Sequence, residues 1–105
     1  MIFIRATVEA LNETTRAPLA ALLIDTMAAS RAEDGCIEYR FTADLEAPST
    51  FHVVELWRDE AAVLGHLAGD GFVAFRKTMP ALARLVDSHW MSGDLAPFDR
   101  PGKVP

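Results

Sequence analysis

Thr50-Phe51-His52-Val53-Val54-Glu55-Leu56-Trp57-Arg58 alternates with a period of two, as an extended strand requires. Phe51, Val53, Glu55 and Trp57 point to one side, and His52, Val54, Leu56 and Arg58 to the other. Both sides carry large apolar groups. A strand with one wet face would instead read apolar-in, polar-out. Residues 2–9 repeat the pattern, with Ile2, Ile4, Ala6 and Val8 facing away from Phe3, Arg5, Thr7 and Glu9. A sheet built from such strands needs cover on two faces.

Between these two strands lie a helix and a further strand. Asn12-Glu13-Thr14-Thr15 is a capping segment, and Leu19, Leu22, Leu23 and Met27 recur at helical spacing, predicting a helix over 15–32 that closes near Gly35. Cys36 to Ala43 reads as a strand, with Ile37, Tyr39 and Phe41 opposite Cys36, Glu38, Arg40 and Thr42. Beyond Arg58, Asp59 is a good N-cap for Glu60 to Ala68. Gly69-Asp70-Gly71 interrupts, and a second helical piece follows from Phe72 with the stripe Phe72, Phe75, Met79 and Leu82; Pro80 kinks or restarts it. Val86 to Ser92 reads as the last strand, while residues 95–105 hold three prolines and form an irregular tail after a domain over 1–94. The order is β-α-β-β-α-β, a ferredoxin-like α+β fold with a four-stranded antiparallel sheet and its helices on one face. The uncovered face predicts a homodimer packed sheet on sheet.

Composition narrows the partners. Ten Lys and Arg against fifteen Asp and Glu give a net charge of −5, with no basic run to meet nucleic acid or an anionic membrane. Half the residues are hydrophobic, yet no stretch is long enough to span a bilayer. The N-terminus lacks the pattern of a signal peptide, and the lone Cys36 suits a reducing compartment; a cytoplasmic protein is expected. Three scattered histidines do not make a metal site, there is no Gly-rich nucleotide loop, and nothing in the residues calls for a cofactor.

Three short motifs stand in order: Gly35-Cys36-Ile37-Glu38-Tyr39 as G-C-x-x-Y, Glu55-Leu56-Trp57 as E-x-W, and Ala62-Val63-Leu64-Gly65-His66 as A-x-x-x-H. With Phe72 and Phe75 after them, the chain from about Ile2 to Ser92 resembles the antibiotic biosynthesis monooxygenase family. The resemblance implies a dimeric α+β barrel with a pocket between sheet and helices in each subunit. It also implies, for several members, oxidation of phenols, anthrones or quinols by molecular oxygen without flavin, metal or haem. Haem-degrading relatives use an Asn on the first strand, which this chain lacks, a Trp where His66 stands, and a later His near the position of Arg76. Anthrone-oxidising members carry an Asn where this chain has Val53, so only Trp57 carries over from that set.

His66 is the expected catalytic base, since an imidazole titrating near neutrality can make an electron-rich phenolate or carbanion. The alternative is a helix histidine that simply hydrogen-bonds Glu55 or a backbone carbonyl. Glu55 is expected to orient His66 or meet substrate, or only to satisfy a helix end or an arginine. Trp57, Tyr39 and Phe72 are the expected walls for a flat substrate, with the Tyr39 hydroxyl holding a substrate oxygen; Phe75 is expected to be core. His52 falls on the dimer side, and Cys36 reads as a small buried residue. The function expected is cofactor-independent monooxygenation of a small aromatic (quinol, phenol or anthrone-like). The alternatives are a non-catalytic small-molecule-binding or stress-response dimer, or a non-oxidative isomerase or lyase.

Overall fold

The computed structural model describes residues 1–102. Its elements are β1 (Ile2–Ala10), α1 (Arg16–Arg31), β2 (Cys36–Ala43), β3 (Thr50–Trp57), α2 (Glu60–Ala68), α3 (Asp70–Thr78), a 3-10 turn (Met79–Ala81) and β4 (Ala83–Ser92). The four strands form one antiparallel sheet in the order β2-β3-β1-β4, the ferredoxin-like arrangement. Within one chain the sheet is open and does not close into a barrel. Residues 95–102 contain no helix or strand, and the last three residues of the expected tail lie outside the described residues.

Local chemistry accounts for the boundaries. The Asn12 carboxamide oxygen accepts the backbone N–H of Thr14 and Thr15 (2.9 and 3.1 Å), turning the chain into α1. Leu19, Leu23, Thr26 and Ser30 then bury one stripe of that helix. Asp59 caps α2 as expected, its carboxylate accepting the N–H of Ala62 at 2.8 Å. Extended backbone at Gly69 separates α2 from α3, so the second helical piece starts at Asp70, two residues before Phe72. Pro80 restarts the chain as a 3-10 turn rather than kinking a continuous helix.

Two irregularities escape a period-two reading. The β2–β3 register shifts between Cys36 and Glu38, so Cys36 pairs with Trp57 and faces the core, whereas Ile37 is left half exposed. Cys36 and Tyr39 therefore share a face that alternation would have split. A second shift comes where Val8 pairs with Leu85 but Thr7 with Asp87, leaving Val86 unpaired. β4 begins at Ala83, earlier than the expected Val86: pairing continues on both sides of the bulge, which only breaks the alternation.

The face under the helices holds Ile4, Ala6 and Val8 of β1 with Phe51, Val53, Glu55 and Trp57 of β3, all buried. Cover stops short of β4. Leu85 and Trp90 face the same way as their buried partners Val8 and Ile4, yet stay 53% and 51% exposed. The opposite face is apolar at one end, where Phe3, Leu56 and Met91 pair in a row with Val54 beside them. It is polar at the other, where His52 bridges Thr7 (3.0 Å) and Asp44 (2.7 Å). The two-sided apolar pattern is thus concentrated near the start of β1. Among the described residues no helix is long and apolar enough to cross a membrane.

Candidate active site

A cavity of about 290 Å³ lies between the sheet and helices α2 and α3. Ile4, Ala6, Val8, Phe41 and Val53 form its floor; Phe72, Phe75, Leu67 and Met79 form its roof. It opens towards β4 between Leu85, Ser88 and Trp90, with Arg76 at the mouth. The Arg76 guanidinium lies 6.0 Å from the centre of the Phe72 ring. The volume sits at the lower end of the roughly 300–1,000 Å³ usual for small-molecule pockets. Its lining is apolar apart from a few groups, and Glu55, His66 and Tyr39 are the buried ones.

His66 is 2% exposed and walled by aromatic rings, with Trp57, Phe72 and Tyr39 centred 4.6, 4.9 and 5.6 Å away. Its Nδ1 lies 2.6 Å from Glu33 Oε1, and its Nε2 lies 3.9 Å from Glu55 Oε1. The expected partner was Glu55 or a backbone carbonyl; the hydrogen bond goes to Glu33 instead. Donation from Nδ1–H to the Glu33 carboxylate leaves Nε2 as the basic edge, turned towards Glu55.

Glu55 is buried, and the Trp57 indole N–H donates to its Oε1 at 3.0 Å. Burial raises its carboxyl above the usual value, against the Trp57 hydrogen bond and the nearby His66, which pull it down. Burial, reinforced by the Glu55 charge, also pushes the Tyr39 phenol well above its ordinary range. Tyr39 is thus a neutral donor and not a base. Burial likewise raises the Cys36 thiol, ahead of the charges of Glu33 and Glu55, which removes the case for a thiolate nucleophile.

The raised carboxyl of Glu55 has a consequence for stability. A folded state that holds this proton more tightly than the unfolded chain is favoured below the ordinary carboxylate value. That contribution is lost as pH rises from there through the raised folded value. Glu55→Gln should therefore abolish a fall in stability as pH rises above the ordinary carboxylate value, with the slope below it unchanged, as measured by urea unfolding. A wild-type and variant curve of the same slope above pH 4.5, the unshifted value, would contradict this.

Of the expected site residues, Tyr39, Glu55, His66 and Phe72 meet at the cavity. Trp57 does not reach its wall: it is fully buried behind Glu55 and His66, holding one by its N–H and stacking on the other. Phe75, read as core, is buried and also lines the cavity. Glu33 went unread in the sequence. It lies in the α1–β2 loop and is brought to His66 by Gly35, whose φ of +80° lets the loop press against Ala62 of α2. Gly69 leaves room on the other side, where a Cβ would stand 2.7 Å from Glu33 Oε2. The G-C motif marked that turn, but nothing local pointed to a partner thirty-three residues away.

Fold and cavity together define a ferredoxin-like α+β domain with one buried imidazole and one buried carboxylate facing an aromatic-lined space. The chain belongs to the antibiotic biosynthesis monooxygenase family, whose profile matches residues 1–78. Solved structures agree. A Deinococcus radiodurans protein named for the same family superposes with a TM-score of 0.85 at 26% identity, over 96% of this chain and 100% of that one. PA3566 of Pseudomonas aeruginosa gives 0.75 at 31% identity, over 90% and 94%. Rv0793 of Mycobacterium tuberculosis gives 0.76 at 22%, over 95% and 98%, which speaks to the fold alone. No curated protein matches the chain.

Proposed function

We propose that the protein is a monooxygenase that oxidises a small aromatic carrying an acidic proton, on the hydroxyl of a phenol or quinol or on the ring methylene of an anthrone, with molecular oxygen and no bound cofactor. The observation that carries this is the Nε2 edge of His66, held by Glu33 and presented beside Glu55 in a cavity of flat apolar walls. In this reading Nε2 takes that proton from a ring lying against Phe72. Glu55 stabilises the resulting imidazolium. The aryloxide, or the anthrone's delocalised carbanion, gives an electron to O2, and the radical and superoxide combine into a carbon-bound peroxide. Its outer oxygen leaves as water, taking the ring hydrogen and the returned proton, and the inner oxygen remains as a carbonyl. One phenol and one O2 thus become one quinone and one water.

The test is an oxygen electrode with a panel of quinols, phenols and anthrones. His66→Ala is expected to lower kcat about 10²–10⁴-fold. Absence of oxygen uptake above background across the panel would refute the activity. An undiminished rate in His66→Ala would refute the role of His66. The presence of two acid–base groups on one cavity also fits a non-oxidative isomerase, which would form product under nitrogen.

The functional unit in this reading is a homodimer, two copies meeting through the open sheet face at Phe3, Val54, Leu56 and Met91 to form the dimeric α+β barrel. These side chains lie together on the uncovered face, and a shallow apolar groove of Met1, Phe3, Met91 and Leu95 continues the patch. Sedimentation should give two subunits at micromolar concentration and one for Leu56→Lys. A single-subunit wild type would exclude this arrangement.

A further inference from the structure

His66 lines two separate cavities. Its Nε2 side faces the substrate cavity, and its Nδ1 side belongs to a surface cleft of about 320 Å³ formed by Glu33, Asp34, Arg58 and the α2 residues Ala61, Ala62 and Gly65. The imidazole, 2% exposed, is the partition between them. The Glu33 side chain spans the gap to water, being 25% exposed while its Oε1 sits 2.6 Å from Nδ1. At the lip of the cleft Arg58 is already paired with Asp34 (3.0 Å) and Asp59 (3.3 Å), so its guanidinium is engaged away from the Glu33 carboxylate.

Resting on the proposed oxygenase reading, we propose that Glu33 and this rear cleft are the route by which His66 exchanges protons with solvent while substrate fills the front cavity. A ring lying on Phe72 and reaching out to Trp90 plugs the mouth and seals Nε2 from water. The Nδ1 edge stays connected. The proton accepted at Nε2 is matched by release of the Nδ1 proton to Glu33 Oε1, and Glu33 passes it to water or buffer in the cleft. The reverse transfer recharges the ring for the departing water, so the net reaction still neither gains nor loses a proton. The other titratable groups around the ring are Glu55, held by Trp57, and Tyr39, whose raised phenol does not take part. Glu33 acts through His66, without contact with substrate.

Glu33→Gln keeps the size and hydrogen-bonding reach of the side chain but cannot carry the proton. It is expected to lower kcat roughly tenfold or more, short of the loss in His66→Ala, with KM unchanged. Raising the concentration of a small buffer base such as imidazole should restore the rate, because the cleft admits it. Glu33→Asp should keep part of the activity. Full kcat in dilute buffer, or a loss that buffer does not repair, would overturn the relay and leave the oxygenase reading standing. A second measurement needs no turnover: NMR of nitrogen-labelled protein, following exchange of the His66 Nδ1 proton with water. Glu33→Gln should slow it and buffer should restore it. Exchange indifferent to Glu33 would overturn the relay even if no substrate is ever oxidised.

Discussion

Replacing Gly35 by alanine is expected to destabilise the protein by about 2–5 kcal/mol, combining the cost of a left-handed backbone for a residue with a Cβ and the cost of overpacking. The backbone there sits at φ +80°, and an added Cβ would collide with the Ala62 side chain of α2. The loop cannot simply back away, because the Gly35 carbonyl accepts the Arg58 N–H at 2.8 Å, joining it to the end of β3. Any retreat would also draw Glu33, two residues earlier, away from His66. Urea unfolding should show the lowered midpoint. A loss below about 1 kcal/mol would mean that the turn is more forgiving than its contacts indicate.

The second large effect is expected at Trp57, which is fully buried and packs with Ile4, Tyr39, Val53, Ala62 and Val63. Trp57→Ala should cost about 3–5 kcal/mol, as large-to-small changes in cores do. Trp57→Phe separates packing from hydrogen bonding. It refills much of the volume but leaves Glu55 without the indole N–H, one of the two influences that hold its carboxyl down. The phenylalanine variant should therefore be clearly more stable than the alanine variant and still show a further rise in the Glu55 titration, visible by carboxyl-carbon NMR. Equal losses in both variants would mean that the indole hydrogen bond, and not its bulk, dominates.

Much of the fold was legible because most elements obey a single period. Strand β3 and helices α1 and α2 lie within a residue of their sequence-read bounds, since alternation, a helical stripe and the Asp59 cap each leave a local signature. The misplacements came where one extra residue shifts the phase, at Ile37 and at Val86. Pattern reading assumes an unbroken period, so a bulge is invisible until the partner strand is known. The site divided the same way. His66, Glu55, Tyr39 and Phe72 each stand at a readable position on one strand or helix face. Glu33 does not, because its role depends on how closely a loop approaches a helix from a distant part of the chain. Trp57 was misplaced by one layer: its strand position gave the correct face, but Glu55 and His66 stand between it and the cavity.

The unpaired residue in β4 also sets which changes of length that strand tolerates. With Val86 looped out, Leu85, Ser88 and Trp90 all turn towards the helices, while Asp87 and His89 turn away. Excising Val86 would give β4 an unbroken ladder and move no neighbour to the wrong side. Removing a residue beyond it, with the bulge kept, would swing the remainder of the strand over and aim its polar groups at the greasy floor of the cavity. One position is therefore expendable in a segment where the next few are not.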